Sequence, residues 1–243
     1  MVPQRDEKIF KSAEEYISQY FQKIKFKPES GTINLGDERY ILIRAASLSY
    51  NFLDFLKKTY PPFNDDDAFT TAYNLLYNLA HSFAISDARN FHKKTGVTDP
   101  IEKLATGPIH FAYAGWAFVE IHEEARPSSD ENFYSIYDHP HSFEADSWIK
   151  AKRQTDHCVC CMSAGYSAGW IQESFNISVV TKEILCRARG DKYCRFIMAW
   201  PHRIEEFIFK YKKENKHLFQ NQDKKAKKQK SKKKLFKLKS GEK

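Results

Sequence analysis

The sequence lacks the features that mark secreted, membrane-spanning and nucleotide-driven proteins. Its first residues, MVPQRDEKIFKSAEEY, contain no apolar stretch of the kind found in a secretory signal. No run of about 18 apolar residues occurs, so no membrane-spanning helix is predicted. Neither a GxxxxGK[ST] loop nor a GxGxxG fingerprint is present, and we place no Ser-His-Asp arrangement. These absences predict a cytoplasmic chain without a nucleotide motor of its own.

Acidic residues are scarce only near the end of the chain. The net charge is +8, but residues 210–243 hold 15 lysines and three acids. The remaining residues therefore carry 24 bases and 28 acids, a charge of about −4. The segment KKAKKQKSKKKLFKLK, Lys224 to Lys239, has ten lysines and no arginine, which predicts a disordered tail. A nuclear-localisation patch, a contact to RNA or an acidic lipid surface, and a solvated tail without a partner all remain open interpretations.

The composition is sufficient for one hydrophobic core. The chain has 243 residues, of which 42% are hydrophobic and 15% aromatic. We predict a helical N-terminal extension over 1–27, a ligand-binding domain over 28–209 and the Lys-rich tail over 210–243. The predicted helices cover 12–24, 45–60, 65–94, 142–152 and 158–175, with a last one from about 203. With a strand pattern between them and a C-terminal hairpin, the fold class is α/β (α+β), in which helices flank an antiparallel sheet.

Two of the five cysteines flank a turn. Apolar and β-branched residues lie on both sides of Gly190-Asp191, which predicts a hairpin with Cys186 and Cys194 opposite each other. Their Cβ atoms would be roughly 5 Å apart, a distance that suits a disulfide or two thiolate ligands of a metal. A cytosolic chain with an odd number of cysteines favours thiolates. The cluster HCVCC, His157 to Cys161, supplies more sulfur, and the alternative is that the cysteines are small core residues.

The segment from Cys160 to Cys194 resembles the 4-vinyl-reductase domain. The matching features are Cys160, the GYSAG stretch 165–169, the EILC stretch 183–186, Gly190 and Cys194. Upstream, GTINL (31–35), SDAR (86–89), GPIH (107–110) and HSFEA (141–145) follow in the order found in the sensory domain of bacterial activators of aromatic catabolism, the xylene- and phenol-responsive regulators. The resemblance covers about residues 28–200. It implies a dimeric sensory domain with a structural zinc that staples the hairpin beside a buried small-molecule pocket.

The resemblance also implies the zinc ligands, which would be Cys160, Glu183, Cys186 and Cys194. In a regular strand Glu183 faces away from Cys186, so it can bind the metal only where the strand bulges or ends. Asp191 or a water is the alternative fourth ligand. Cys158 and Cys161 are spare by register, although a slip of one residue would exchange Cys161 for Cys160.

The predicted ligand site departs from the pattern of the family. The histidine and tryptophan that hold the ligand hydroxyl in the phenol-responsive regulators fall on Phe111 and His139 here. His110 stands beside the first position and can replace its histidine. The other residues expected to line the pocket are Trp116, Tyr137 and Tyr166. We expect an apolar or aromatic small molecule as the ligand.

Three functions are compatible with these residues. The first is a zinc-stabilised sensory or carrier module that acts through a partner. The second is a tethering scaffold related to vesicle-tethering subunits, with its basic tail on an acidic membrane or nucleic acid. The third is an enzyme of tetrapyrrole vinyl reduction, which is disfavoured because a zinc with three thiolates and a carboxylate is closed and therefore structural.

Overall fold

A computed structural model describes residues 2–59 and 65–219. Residues 2–204 form one compact unit, and a second unit begins at Glu205. The helices are α1 (Glu7–Phe21), α2 (Tyr50–Thr59), α3 (Asp65–Thr95), α4 (Pro100–Tyr113), α5 (Phe143–Lys150), α6 (Cys161–Phe175) and α7 (Ile204–Glu214). The strands are β1 (Ile24–Lys27), β2 (Thr32–Leu35), β3 (Glu38–Tyr40), β4 (Ala117–Ile121), β5 (Tyr134–Ser142), β6 (Val180–Leu185) and β7 (Arg195–Ala199). Among the described helices, none is both long and apolar enough to cross a membrane.

The predicted fold class is confirmed. Strands β1, β2 and β3 form one antiparallel sheet, and a second antiparallel sheet has the order β4-β5-β7-β6. The predicted helix over 45–60 is divided, because a 3-10 turn at Ala45–Leu48 precedes α2. The predicted C-terminal hairpin is the β6–β7 pair. The end of the predicted helix over 45–60 and the segment Lys224 to Lys239 lie outside the described residues.

Helices α3 and α6 approach each other closely. A Cβ atom on Gly165 would lie 2.1 Å from the carbonyl oxygen of Tyr77, and one on Gly169 would lie 2.3 Å from that of His81. On α3 the buried positions repeat every four residues and are mostly alanine: Ala68, Ala72, Leu76, Ala80, Ala84 and Ala88. Small side chains on both helices therefore allow the backbones to meet. This contact fixes α6, which carries Tyr166 and begins directly after Cys160.

The core lies between the second sheet and α6. Strand β5 and its neighbour β7 contribute fully buried side chains such as Ile136, Phe196 and Ile197. Helix α4 begins at Asp99, whose carboxylate accepts hydrogen bonds from the amides of Ile101 and Glu102. It packs against both α6 and β4. Helices α4 and α6 and the second sheet together enclose a cavity.

Candidate functional site

Four acidic donors, three buried cysteines and the half-buried Glu183, converge where β6 ends and α6 begins. The sulfur atoms of Cys160, Cys186 and Cys194 and a carboxylate oxygen of Glu183 all lie within 4.8 Å of one another. The Sγ atoms of Cys160 and Cys194 are 3.8 Å apart. These four residues are the set that the resemblance implied.

A bulge in β6 brings Glu183 into this group. The pairing of β6 with β7 shifts its register between Glu183 and Leu185. The shift turns Glu183 onto the side of Cys186, which a regular strand would not do. Its Oε2 accepts a hydrogen bond from the amide of Cys160 at 2.8 Å. Its Oε1 is buried and has no hydrogen-bond partner among the described residues.

The alternative ligands have other contacts. The carboxylate of Asp191 accepts hydrogen bonds from the Cys186 amide at 2.9 Å and from Arg189 at 2.6 Å, which stabilises the loop between β6 and β7. Cys161 donates from its sulfur to Oε1 of Glu144. Neither Cys158 nor Cys161 belongs to the four-donor group. Among the described residues, this group is the one whose donors could hold a metal ion.

The donors fit a bound cation. Burial raises the pKa of the Cys160 thiol and of the Glu183 carboxyl well above their ordinary values. Burial also opposes ionisation of Cys186, but hydrogen bonds from Cys160 and Cys194 outweigh it and lower the pKa of the Cys186 thiol. Two sulfurs bound to one tetrahedral zinc at about 2.3 Å are separated by about 3.8 Å, the spacing of Cys160 and Cys194. The group could therefore hold a metal ion, which would balance the charge and occupy the free lone pairs of Glu183.

An apolar cavity of about 50 Å³ lies between α4, α6 and the second sheet. Ser135, Tyr137, Tyr166 and Ser167 contribute to its wall. The remaining wall is apolar or glycine: Leu104, Gly107, Pro108, Phe111, Val119, Ile121, Trp170, Ile171 and Met198. Of the six predicted ligand residues, Phe111, Tyr137 and Tyr166 therefore line this cavity.

His139 lies next to the cavity and is fully buried. Its ring is 5.7 Å from the ring of Phe111 and 5.3 Å from that of Tyr137. Neither ring nitrogen has a hydrogen-bond partner in the described part of the chain. Burial lowers the pKa of His139 to about 3, so the imidazole is neutral. A buried imidazole without a partner is costly, and a polar ligand group would relieve that cost.

The other two predicted ligand residues lie elsewhere. His110 and Trp116 line a separate groove, on the far side of Phe111 and Tyr166. Trp170, in contrast, lines the cavity and was not predicted. Its indole nitrogen donates to the carbonyl oxygen of Lys103 at 3.1 Å. A tryptophan directly after the GYSAG stretch, one helical turn from Tyr166, was the signal that would have identified it.

No family model matches the chain. It is 23% identical over 200 residues to the phenol regulator MopR of Acinetobacter guillouiae, a match that covers 81% of this chain and 34% of MopR. The chain thus spans about a third of the length of that curated relative. Among solved structures, the phenol-responsive sensory domain of the transcription activator PoxR with phenol matches with a TM-score of 0.65 and 18% identity, over 82% of this chain and 96% of that one.

These matches confirm the predicted resemblance to the sensory domains of regulators of aromatic catabolism, while the 4-vinyl-reductase label has no support from a family model. A subunit 3 of a trafficking protein particle complex from Naegleria fowleri, bound to palmitic acid, reaches a TM-score of only 0.42 at 11% identity. It covers 64% of this chain and 93% of its own, and we draw no argument from so low a score.

Proposed function

We propose that this chain is a sensory or carrier module that binds an apolar or aromatic small molecule and acts through a partner. The observation that carries the proposal is the apolar cavity beside a buried His139 with no hydrogen-bond partner among the described residues. Similarity to MopR and the shared fold of the PoxR sensory domain support it.

The size of the cavity predicts a small ligand and some local movement. An engineered cavity of about 150 Å³ holds benzene, whereas this one measures about 50 Å³. A single aromatic ring would therefore require side chains such as Phe111 or Met198 to move outward. His139, next to the cavity, would hold a polar substituent of that ring. The neutral imidazole can accept a hydrogen bond from a hydroxyl group or donate one to a carbonyl.

We propose that Cys160, Glu183, Cys186 and Cys194 bind a structural zinc. The support is the donor set itself, three sulfurs and one carboxylate oxygen within 4.8 Å. Such a set suits zinc better than a hard cation, because thiolates are soft ligands. A zinc here would join the start of α6 to the hairpin and hold both against the cavity.

We also propose that the module is a homodimer. Helix α3 has exposed apolar side chains at Leu75 and Leu79, which are exposed by 52% and 42%. Residues at this four-residue spacing share one helix face, and such a stripe suits pairing with a second copy. Size-exclusion chromatography with light scattering tests this, and Leu79→Lys should convert the dimer into a monomer. A monomeric wild-type chain would contradict it.

The tethering scaffold has no supporting observation. The structural match to a trafficking subunit is too weak to use, and the Lys-rich segment lies outside the described residues. A cytoplasmic location, a nuclear one and an acidic partner for the tail all remain predictions.

Phenol provides the direct test of ligand binding, with the unfolding temperature as the measurement. We expect phenol to raise the unfolding temperature of the wild-type chain. The control variant is His141→Leu, because the side chain of His141 is exposed, and phenol should stabilise it equally. The same ligand should have no effect on His139→Leu. An equal shift in all three proteins would show that His139 does not hold the ligand. No shift with phenol or with a panel of related single-ring aromatics would contradict the proposed function.

A further inference from the structure

A second, larger space lies outside the aromatic wall of the cavity. It is a groove of about 510 Å³ between α3, the end of α4 and the chain that leaves β3. Its volume falls within the range of about 300–1,000 Å³ that is usual for small-molecule sites. It is ten times larger than the inner cavity and is lined by different residues. The proposed function does not account for it.

A stack of three aromatic rings separates the two spaces. The ring of Tyr166 lies 4.9 Å from that of Phe111 and 4.8 Å from that of Trp116. Trp116 lines the groove, whereas Phe111 and Tyr166 line the cavity. The Tyr166 hydroxyl donates to the carboxylate of Asp87 at 2.8 Å, and Asp87 belongs to the groove. The two spaces are thus neighbours, and the hydrogen bond from Tyr166 to Asp87 connects the wall of one to the wall of the other.

One end of the groove is polar but carries no net charge. Its ionic side chains are two acids and two bases, Glu38, Asp87, Arg39 and Lys94. Lys94 is paired with Asp37 and Glu38, and Arg39 donates to the carbonyl oxygen of Gly31. Among the described residues the Tyr166 hydroxyl donates to Asp87, and a carboxylate with about four lone-pair sites retains capacity to accept another hydrogen bond. This end suits a neutral ligand with a hydrogen-bond donor.

The other end of the groove is apolar and uncovered. Ile41, Leu42 and Ile43 are exposed by 71%, 77% and 52%, although they are consecutive in the chain. Together with Phe91 and Trp116 they form a wall that a flat apolar body could cover. Covering such a wall is favourable by about 25 cal/mol per Å² of apolar surface removed from water.

From these features we infer that the groove is a second binding site, for a neutral aromatic molecule of about two fused rings that carries a hydroxyl group. The hydroxyl donates to Asp87, and the rings lie between Trp116 and the Ile41–Ile43 segment. The inner cavity is too small for such a molecule. The chain therefore separates ligands by size, with single rings inside and fused rings in the groove.

The test uses 2-naphthol and isothermal titration of the full chain. Ser86 is exposed and lines the groove, while Ser82 is exposed one helical turn earlier and does not line it. We expect Ser86→Trp to abolish 2-naphthol binding and Ser82→Trp to leave it unchanged. Asp87→Asn should weaken binding about tenfold, because a hydrogen bond to a charged acceptor is lost. Ser135→Val, which fills part of the inner cavity, should weaken phenol binding and leave 2-naphthol binding intact.

Several results would overturn the inference. The first is that the wild-type chain binds no 2-naphthol at millimolar concentration. The second is that Ser86→Trp and Ser82→Trp bind 2-naphthol with equal affinity. The third is that Ser135→Val no longer binds 2-naphthol. A change of oligomeric state in Ser86→Trp with unchanged 2-naphthol binding would show that the groove is a contact between chains. None of these results affects the response to phenol, so they are distinct from a failure of the proposed function.

Discussion

The backbone amide of His139 donates to the carbonyl oxygen of Cys194 at 2.8 Å. This bond joins the proposed ligand position on β5 to the proposed metal ligand at the start of β7. The next pair along the two strands, Asp138 and Arg195, forms a buried ion pair with two contacts of 2.6 Å. A change in the metal group therefore has a short path to the imidazole that lies next to the cavity.

Metal removal should destabilise the fold and impair ligand binding together. We expect Cys186→Ser/Cys194→Ser to lose zinc and to unfold at a much lower temperature, because structural zinc contributes directly to folding. Elemental analysis and thermal unfolding measure the two effects. Cys158→Ser is the matched control, since Cys158 lies outside the four-donor group. Equal zinc content in both variants would contradict the assigned ligands.

His139→Leu should raise the unfolding temperature when no ligand is present. The buried imidazole has no hydrogen-bond partner among the described residues, and leaving such a group unsatisfied costs about 1–3 kcal/mol. Leucine has a similar volume without that cost. A urea titration of the ligand-free protein measures the gain. A large loss of stability would instead show that His139 has a structural partner.

Asp138→Asn should be strongly destabilising, by about 3–5 kcal/mol, because it removes the carboxylate charge that pairs with the buried guanidinium of Arg195. The comparison is Asp54→Asn, which breaks the ion pair of Asp54 with Arg153 at 2.6 Å. Asp54 is 46% exposed, so we expect a cost of about 0–1 kcal/mol there. Urea unfolding measures both free energies. Similar costs for the two variants would show that burial does not decide the strength of these pairs.

Gly165→Ala should destabilise the chain although alanine is the better helix former. In an exposed helix this substitution stabilises by about 1 kcal/mol. Here the added Cβ would lie 2.1 Å from the backbone of α3, and backbone cannot give way as a side chain can. We expect a net loss of about 1–3 kcal/mol in urea unfolding. Ser167→Ala on the same helix is the control, and a stabilising Gly165→Ala would disprove the close approach of α3 and α6.

Glu144 should make stability fall as the pH rises. Its carboxylate is buried at the start of α6, where it accepts hydrogen bonds from the amides of Met162 and Ser163 at 2.9 Å. Burial raises the pKa of Glu144 from 4.5 to about 7 in the folded chain. Because the folded state binds the proton more tightly, its contribution is complete below pH 4.5 and is lost as the pH rises through about 7.

Glu144→Gln isolates this effect. Between pH 5 and pH 8 the unfolding free energy of the wild type should fall relative to that of Glu144→Gln. Other titrating groups, including the metal donors, are common to both proteins and cancel in the difference. A difference that is constant with pH, or that moves in the opposite direction, would contradict the raised pKa.

The sequence predicted the class of fold because its helices and its hairpin have strong local patterns. Gly190-Asp191 between two β-branched segments is a local signal, and the β6–β7 pair is present. The start of α1 at Glu7 rather than Ser12 was not predicted, since several polar residues there serve equally well as a helix start. The close approach of Gly165 to the backbone of Tyr77 could not be predicted either, because the two helices involved are far apart in the sequence.

The four-donor group could be proposed but its geometry could not. Alternation along a strand argued against Glu183, and only the bulge next to it brings the carboxylate to the sulfurs. Bulges depend on pairing with a neighbouring strand and leave little trace in one sequence. The pocket was harder still. Aromatic residues close in sequence, such as Phe111 and Trp116, line different spaces because the wall between cavity and groove is made of the rings themselves.

A native mass spectrum of the full chain, recorded with and without phenol, tests the central claim most directly. We predict a dimer with one zinc per chain that gains the mass of one phenol per chain, and His139→Leu should keep the zinc and lose the phenol. A metal-free monomer that acquires no phenol would contradict the account, because neither the metal group nor the ligand cavity would then have the role proposed for it.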